Sequence, residues 1–240
     1  MPLWRRARTG GFPPSGNGAS SFHLFWQLPT GEGLVEAAVT LEVLTPPAVE
    51  HLYFWALQVA FPGEGAAHLG LQWNHRHPGF GAVNWGGYGA GGSLLTGTES
   101  TLPSTPDDPN TRDYAWEPGR PYRLGVRRAA EGGWRGEVTD VATGNTTVVR
   151  DLVAAAPYLV EPMVWSEVFA RCDDPSVTAR WSDFEVVTDR DERIVPGALA
   201  VNYQSHVDGG CTNTASRRDD RGGVLQVTNT ERLTPQGARL

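Results

Sequence analysis

The sequence predicts an all-β fold, either a two-sheet antiparallel β-sandwich or a barrel. Three observations carry this. Apolar and aromatic runs of strand length recur along the chain. They are punctuated by 29 glycines and 18 prolines, which suits many turns and short strands. No stretch keeps a long helical period.

The elements follow in order. Residues 1–20 are rich in Arg, Gly, Pro and Ser and read as a flexible arm. Residues 22–28 form an aromatic-rich strand. VEAAVTLEVL at 35–44 is ambiguous between helix and strand; it is assigned as strand because two prolines follow and its neighbours are β. Runs at 52–61, 67–74 and 80–88 come next, each bounded by Gly, Pro or Asn. Residues 89–119 read as an irregular loop or lid, and a structureless stretch of that length is often functional. Strands resume at 121–128 and 133–141. The turn ATGN at 142–145 leads into TTVVRDLV, a hairpin signal. Runs at 162–171, 177–188, 198–204 and 223–228 complete the set. The expected organisation is one domain over 21–230, with a tail at 231–240.

Composition excludes several functions. The formal charge is −7, which disfavours nucleic acid and anionic membranes as partners, because phosphate binding needs clustered basic charge. The chain has no lysine, so Schiff-base chemistry and a Walker-type lysine are impossible. No GxSxG, phosphate-cradling loop or dinucleotide fingerprint occurs, and no cofactor is expected. No run approaches transmembrane length. The N-terminus has basic residues but no apolar stretch, so the chain as written is expected to be cytoplasmic. Cys172 and Cys211 lie in the polar stretches RCDD and GGCTN and belong to no metal-spaced cluster. A disulfide between them is possible and would fit an oxidising compartment. Nothing in the sequence sets the oligomeric state.

Strand alternation then sorts side chains onto two faces. In 52–61, Tyr53, Trp55, Leu57, Val59 and Phe61 form the better core face, and Gln58 lies on the other. In 69–74, Leu69, Leu71 and Trp73 oppose His68, Gly70, Gln72 and Asn74. In 80–88, Val83 and Trp85 oppose Asn84 and Tyr88. In 163–171, Val164, Ser166 and Val168 read as packing residues, opposite Trp165, Glu167, Phe169 and Arg171. Several strands thus pair an apolar face with one of amides, aromatics and charges. Such a sheet packs one side and offers the other to a ligand. Gln58, Gln72, Asn74, Asn84, Tyr88, Trp165 and Arg171 have the chemistry of sugar recognition: amides for hydroxyls, rings for stacking, a guanidinium for oxygens. The competing reading is that the amides bridge backbone or buried water.

The order YFWALQVAF, HLGLQWN, GAVNWGGY, with WEPGRPYRLGV, GWRGEVTDVATG and a terminal NYQSHVDGGCTNT, resembles a family of uncharacterised, mostly secreted bacterial domains. That family looks like a concanavalin A-like jelly roll, two antiparallel sheets with one concave face. The resemblance implies carbohydrate contact and secretion. This chain departs from the family pattern at Asn84–Trp85, where Ser-x-Trp is usual, and in lacking a visible secretion signal.

For catalysis, Glu167 between Trp165 and Phe169 is the best acid, because an apolar setting raises a carboxyl's pKa. No second carboxylate stands out as its partner for glycoside hydrolysis, and an ion pair with Arg171 is the plainer role. His75 and His77 in WNHRHPGFG are rim histidines, with His75 a candidate general base; no third ligand supports a metal. The expectation is a domain that binds a carbohydrate or similar hydroxyl-rich small molecule on its concave sheet. The alternatives are an enzyme on that scaffold using Glu167 or His75 (a glycosidase or lyase, or a cyclase or isomerase), and an interaction domain without a pocket.

Overall fold

In the computed structural model, which describes residues 7–29 and 33–240, alternating sequence becomes strand almost wherever it occurs. In chain order the strands are β1 (Ser20–Gln27), β2 (Leu34–Thr45), β3 (Tyr53–Phe61), β4 (Gly65–Trp73), β5 (Gly81–Tyr88), β6 (Thr111–Asp113), β7 (Pro121–Arg128), β8 (Trp134–Asp140), β9 (Thr146–Leu152), β10 (Val160–Val168), β11 (Thr178–Thr188), β12 (Arg193–Ile194), β13 (Ala198–Tyr203), β14 (Ala215–Arg218) and β15 (Val224–Val227). They build two antiparallel sheets packed as a jelly-roll sandwich. The first runs β13-β1-β10-β3-β4-β5-β6. The second runs β14-β15-β11-β2-β7-β8-β9, with β12 paired to β11. VEAAVTLEVL is strand, as assigned: β2 lies between β11 and β7 at the centre of the second sheet, where residues on both faces are covered.

The core fills the space between the sheets. Trp55, Trp85, Trp134 and Trp181 are fully buried there, with Phe22, Leu24, Leu57, Leu69 and Leu71. Burial of such side chains is worth roughly 1.5–3 kcal/mol each. Gly136 of β8 makes room for the Trp85 ring: a Cβ there would fall 2.5 Å from it. One amide crosses this apolar space. Gln226 is 1% exposed. Its Oε1 accepts from Ser166 Oγ at 2.7 Å and from Trp181 Nε1 at 2.9 Å, and its Nε2 donates to the Phe22 carbonyl at 2.9 Å. It therefore ties β15 to both β1 and β10 of the opposite sheet.

The two ends of the domain are drawn in. Residues 1–6 of the expected arm lie outside the described residues. The rest of the arm is tied down rather than loose: Thr212 N–H donates to the Arg8 carbonyl at 2.8 Å, Gly11 N–H to Asp173 Oδ1 at 3.0 Å, and Cys172 N–H to the Gly11 carbonyl at 2.9 Å. The final residues lie along the outer edge of β13, where Leu199 and Leu240 exchange backbone hydrogen bonds. Part of the expected loop at 89–119 also becomes structure, since β6 pairs with β5.

Cys172 and Cys211 form a disulfide across 39 residues. It joins the segment after β10 to the loop before β14. Closing a loop of that length in the unfolded chain stabilises by about 3–4 kcal/mol. Changing both cysteines to alanine is expected to lower the unfolding free energy by about that amount, measured by denaturant titration against the oxidised protein. Among the described residues, no helix is long and apolar enough to cross a membrane.

Candidate functional site

The outer face of the first sheet carries the amides. Alternation puts Trp55 and Leu57 of β3 into the core and leaves Phe54, Ala56 and Gln58 outside. The same alternation leaves Ser21, His23 and Phe25 of β1, His68, Gly70 and Gln72 of β4, Asn84 and Gly86 of β5, and Met163, Trp165 and Glu167 of β10. Register then sets the rows. Ser21, Glu167, Phe54 and Gln72 follow one another across β1, β10, β3 and β4. His23 and Trp165 begin the next row, and Met163, Gln58, His68 and Gly86 form the one beyond.

The floor is an apolar cluster of Phe54, Ala56, Met163 and Trp165, flanked by Phe25. The Phe54 ring stands edge-on to Trp165 at 4.9 Å and to His68 at 5.5 Å. It lies over Gly70, where a Cβ would come within 2.8 Å of the ring. Trp165 is only 6% exposed, so it supports the floor. Its Nε1 donates to Gln58 Oε1 at 3.1 Å and fixes that amide.

Above this floor runs a trough of two adjoining lobes. The larger, about 480 Å³, is lined by Asn17, Ser21, His23, Gln58, His68, Tyr88, Trp165, Glu167 and Phe169. The smaller, about 250 Å³, is lined by Phe54, His68, Gln72, Asn84, Tyr88, Leu94, Asp108, Asn110, Thr111, Glu167 and Phe169. His68, Tyr88, Glu167 and Phe169 line both. The walls come from distant parts of the chain. The turn at 15–19 closes one side. The segment 108–111, from the long loop, closes the other, with the Asn110 side chain lying over Gly86. Arg150 holds that segment by donating to the Pro109 carbonyl at 2.5 Å and to Asn110 Oδ1 at 3.3 Å.

Burial shifts three ionisable groups of the trough toward their uncharged forms. Burial lowers both His23 and His68 to about 4, so both imidazoles are neutral at pH 7. Burial raises the Glu167 carboxyl above its ordinary value, opposed by the hydrogen bond from Asn17 Nδ2 to Glu167 Oε1 at 2.9 Å. Asn84 is 6% exposed; its Nδ2 donates to Thr111 Oγ1 at 2.9 Å, and its Oδ1 has no partner in the protein. His23 Nδ1 is likewise buried without a partner.

The structure thus brings Gln58, Gln72, Asn84, Tyr88, Trp165 and Glu167 to one trough and leaves three candidates outside its lining. β10 ends at Val168, so alternation no longer places Arg171. That side chain is exposed, pairs with Asp173 at 3.1 Å and lies over the Phe12 ring. The expected Glu167–Arg171 ion pair does not form, and Asn17 is the partner instead. β4 ends at Trp73, and a turn follows in which His77 N–H donates to the Asn74 carbonyl at 3.0 Å. Asn74 there braces Gln72, donating to its Oε1 at 2.9 Å. His75 is exposed on the turn, while His77 is buried against Asp113 at 2.6 Å. Alternation alone had already put His68 on the amide face. Alternation had likewise put Phe169 beside Glu167 on that face, whereas the arrival of Asn17 and Asn110 carries no local sequence signal. Among the described residues, no three His, Cys, Asp or Glu side chains gather closely enough to hold a metal ion.

No family model matches the sequence, and no curated protein matches it. In three dimensions the chain is similar to Scytalido-glutamic peptidase, solved with a peptide-based transition state analog. The TM-score is 0.51 at 7% identity, covering 87% of this chain and 98% of that one. It is also similar to SCP-B, a member of the Eqolisin family of peptidases, solved with the tripeptide Ala-Ile-His. There the TM-score is 0.50 at 9% identity, with coverage of 87% and 98%. At these identities the likeness is one of fold: the same sandwich over nearly the whole of each chain.

Proposed function

We propose that the trough binds a neutral, hydroxyl-rich ligand, carbohydrate first. One observation carries this reading: six polar side chains from five strands, namely His23, Gln58, His68, Gln72, Asn84 and Glu167, converge on one open trough. No arginine lines it among the described residues, so nothing there is built to neutralise an anion. Amides, neutral imidazoles and the carboxyl groups of Glu167 and Asp108 offer mixed donors and acceptors to hydroxyls. Tyr88, 55% exposed at the junction of the lobes, is the stacking platform, a role that buried Trp165 gives up. The disulfide supports an oxidising compartment, the setting that the family resemblance implies, over the cytoplasm.

A second reading is hydrolysis with Glu167 as general acid. Its raised pKa favours this, and both solved proteins of the same fold are described as peptidases with bound peptides or analogs. Tyr88→Ala and Glu167→Gln separate the two. Under the binding reading, Tyr88→Ala weakens glycan affinity about 3–10-fold, the value of a lost aromatic contact, as read by calorimetry on the glycan a panel selects. Glu167→Gln then changes affinity only a few-fold. Under the hydrolytic reading, Glu167→Gln lowers turnover of a glycan or peptide substrate by about 100-fold or more. If neither variant changes any response to glycan or peptide, both readings fail.

A further inference from the structure

We infer that the trough takes an oligomer, with successive units in the two lobes and the link between them over Glu167 and His68. The inference rests on the proposed binding of a hydroxyl-rich ligand and adds its length and placement. The smaller lobe, at about 250 Å³, falls below the roughly 300–1,000 Å³ of a complete small-molecule pocket. It is continuous with the larger lobe through four shared residues, so it serves as a subsite of a longer groove.

Each lobe is also equipped separately. The larger has Gln58, held by Trp165, and His23, whose Nδ1 has no partner. The smaller has Gln72, held by Asn74, and Asn84, whose Oδ1 has no partner. A buried polar atom left unpaired costs about 1–3 kcal/mol. Finding one in each lobe points to a ligand group arriving in both. Asn84 uses its N–H on Thr111, so what remains is an acceptor, and the unit in the smaller lobe must present a donor such as a hydroxyl. The walls agree with this division: the turn bearing Asn17 shapes one lobe, and the segment bearing Asn110 shapes the other.

Calorimetric titration with matched neutral series tests this: glucose, cellobiose and cellotetraose, and the corresponding galactose and mannose series. In a series that binds, the dimer is expected to bind about tenfold tighter than the monomer, the yield of one or two added hydrogen bonds. Asn84→Ala is expected to remove that increment, so that the variant binds monomer and dimer with similar affinity. Asn110→Ala, on the rim of the smaller lobe, repeats the test; it removes one 3.3 Å hydrogen bond from Arg150, whose hold on the Pro109 carbonyl remains. Equal affinities for monomer and oligomers would overturn the two-lobe inference alone. Failure of every saccharide to bind would overturn the proposed ligand class with it.

Discussion

Replacing Gln226 by methionine is expected to cost about 4 kcal/mol of folding stability, because three buried partners lose their hydrogen bond at once. Ser166 Oγ, Trp181 Nε1 and the Phe22 carbonyl have Gln226 as their shared partner. Methionine keeps the volume and removes every polar atom, so the loss reports the hydrogen bonds rather than a cavity. Denaturant unfolding checks the size. A second consequence is local. Ser166 adjoins Glu167 on β10, so freeing Ser166 loosens the strand that carries the trough's carboxyl. Ligand affinity is therefore expected to fall in the variant even where it remains folded.

Acid is expected to destabilise the protein between pH 6.5 and 4 through the trough itself. Unfolded, His23 and His68 titrate near 6.5; folded, burial lowers both to about 4. Between those values the unfolded chain binds protons that the folded chain does not. The stability that the pair contributes is thus fully present above 6.5 and falls as pH drops toward 4. One pKa unit corresponds to about 1.4 kcal/mol. Allowing for the water-facing part of each ring, each histidine contributes on the order of 2–3 kcal/mol. Glu167 acts the other way. Its folded pKa is raised, so its protonation favours the folded state as pH falls through that value. The expected net loss from pH 7 to pH 4 is about 3 kcal/mol, measured by denaturant unfolding at intervals of one pH unit. His68→Gln, which cannot titrate, is expected to remove about 2–3 kcal/mol of that loss. An unchanged pH slope in the variant would show that His68 is not the group responsible.

Much of the fold and part of the site were legible in the sequence, for a definite reason. Where a strand is long and one face is buried, alternation fixes which side chains share a face. That placed Gln58 and Gln72 outward, and it paired Trp165 with Glu167 behind Ser166. The rule fails where the strand stops. Asn74 and Arg171 were placed by continuing an alternation beyond Trp73 and Val168, where the chain had already turned, and His75, read as a rim histidine, lies on the turn after Trp73 away from the trough. It fails also for β6, β12 and β14, of 3, 2 and 4 residues, which are too short to show a period. His68 stood on the right face, but a lone histidine among the small and apolar residues of GAAHLGL carried no mark of a site. His23, within FHLFW, offered no contrast with its neighbours except the inward set of Phe22, Leu24 and Trp26. Asn17 was invisible, because its bond to Glu167 spans 150 residues.

The position of β10 has a kinetic consequence. It lies between β1 and β3, and β1 has both its neighbours, β10 and β13, in the far half of the chain. The hairpins of β3, β4 and β5 form from local contacts, but β1 waits for strands made much later. High contact order of this kind slows folding, and until β10 inserts, β1 and β3 present open apolar edges of the sort that drive aggregation. The trough is therefore among the last features to mature, since its floor is completed only when β10 slots into place.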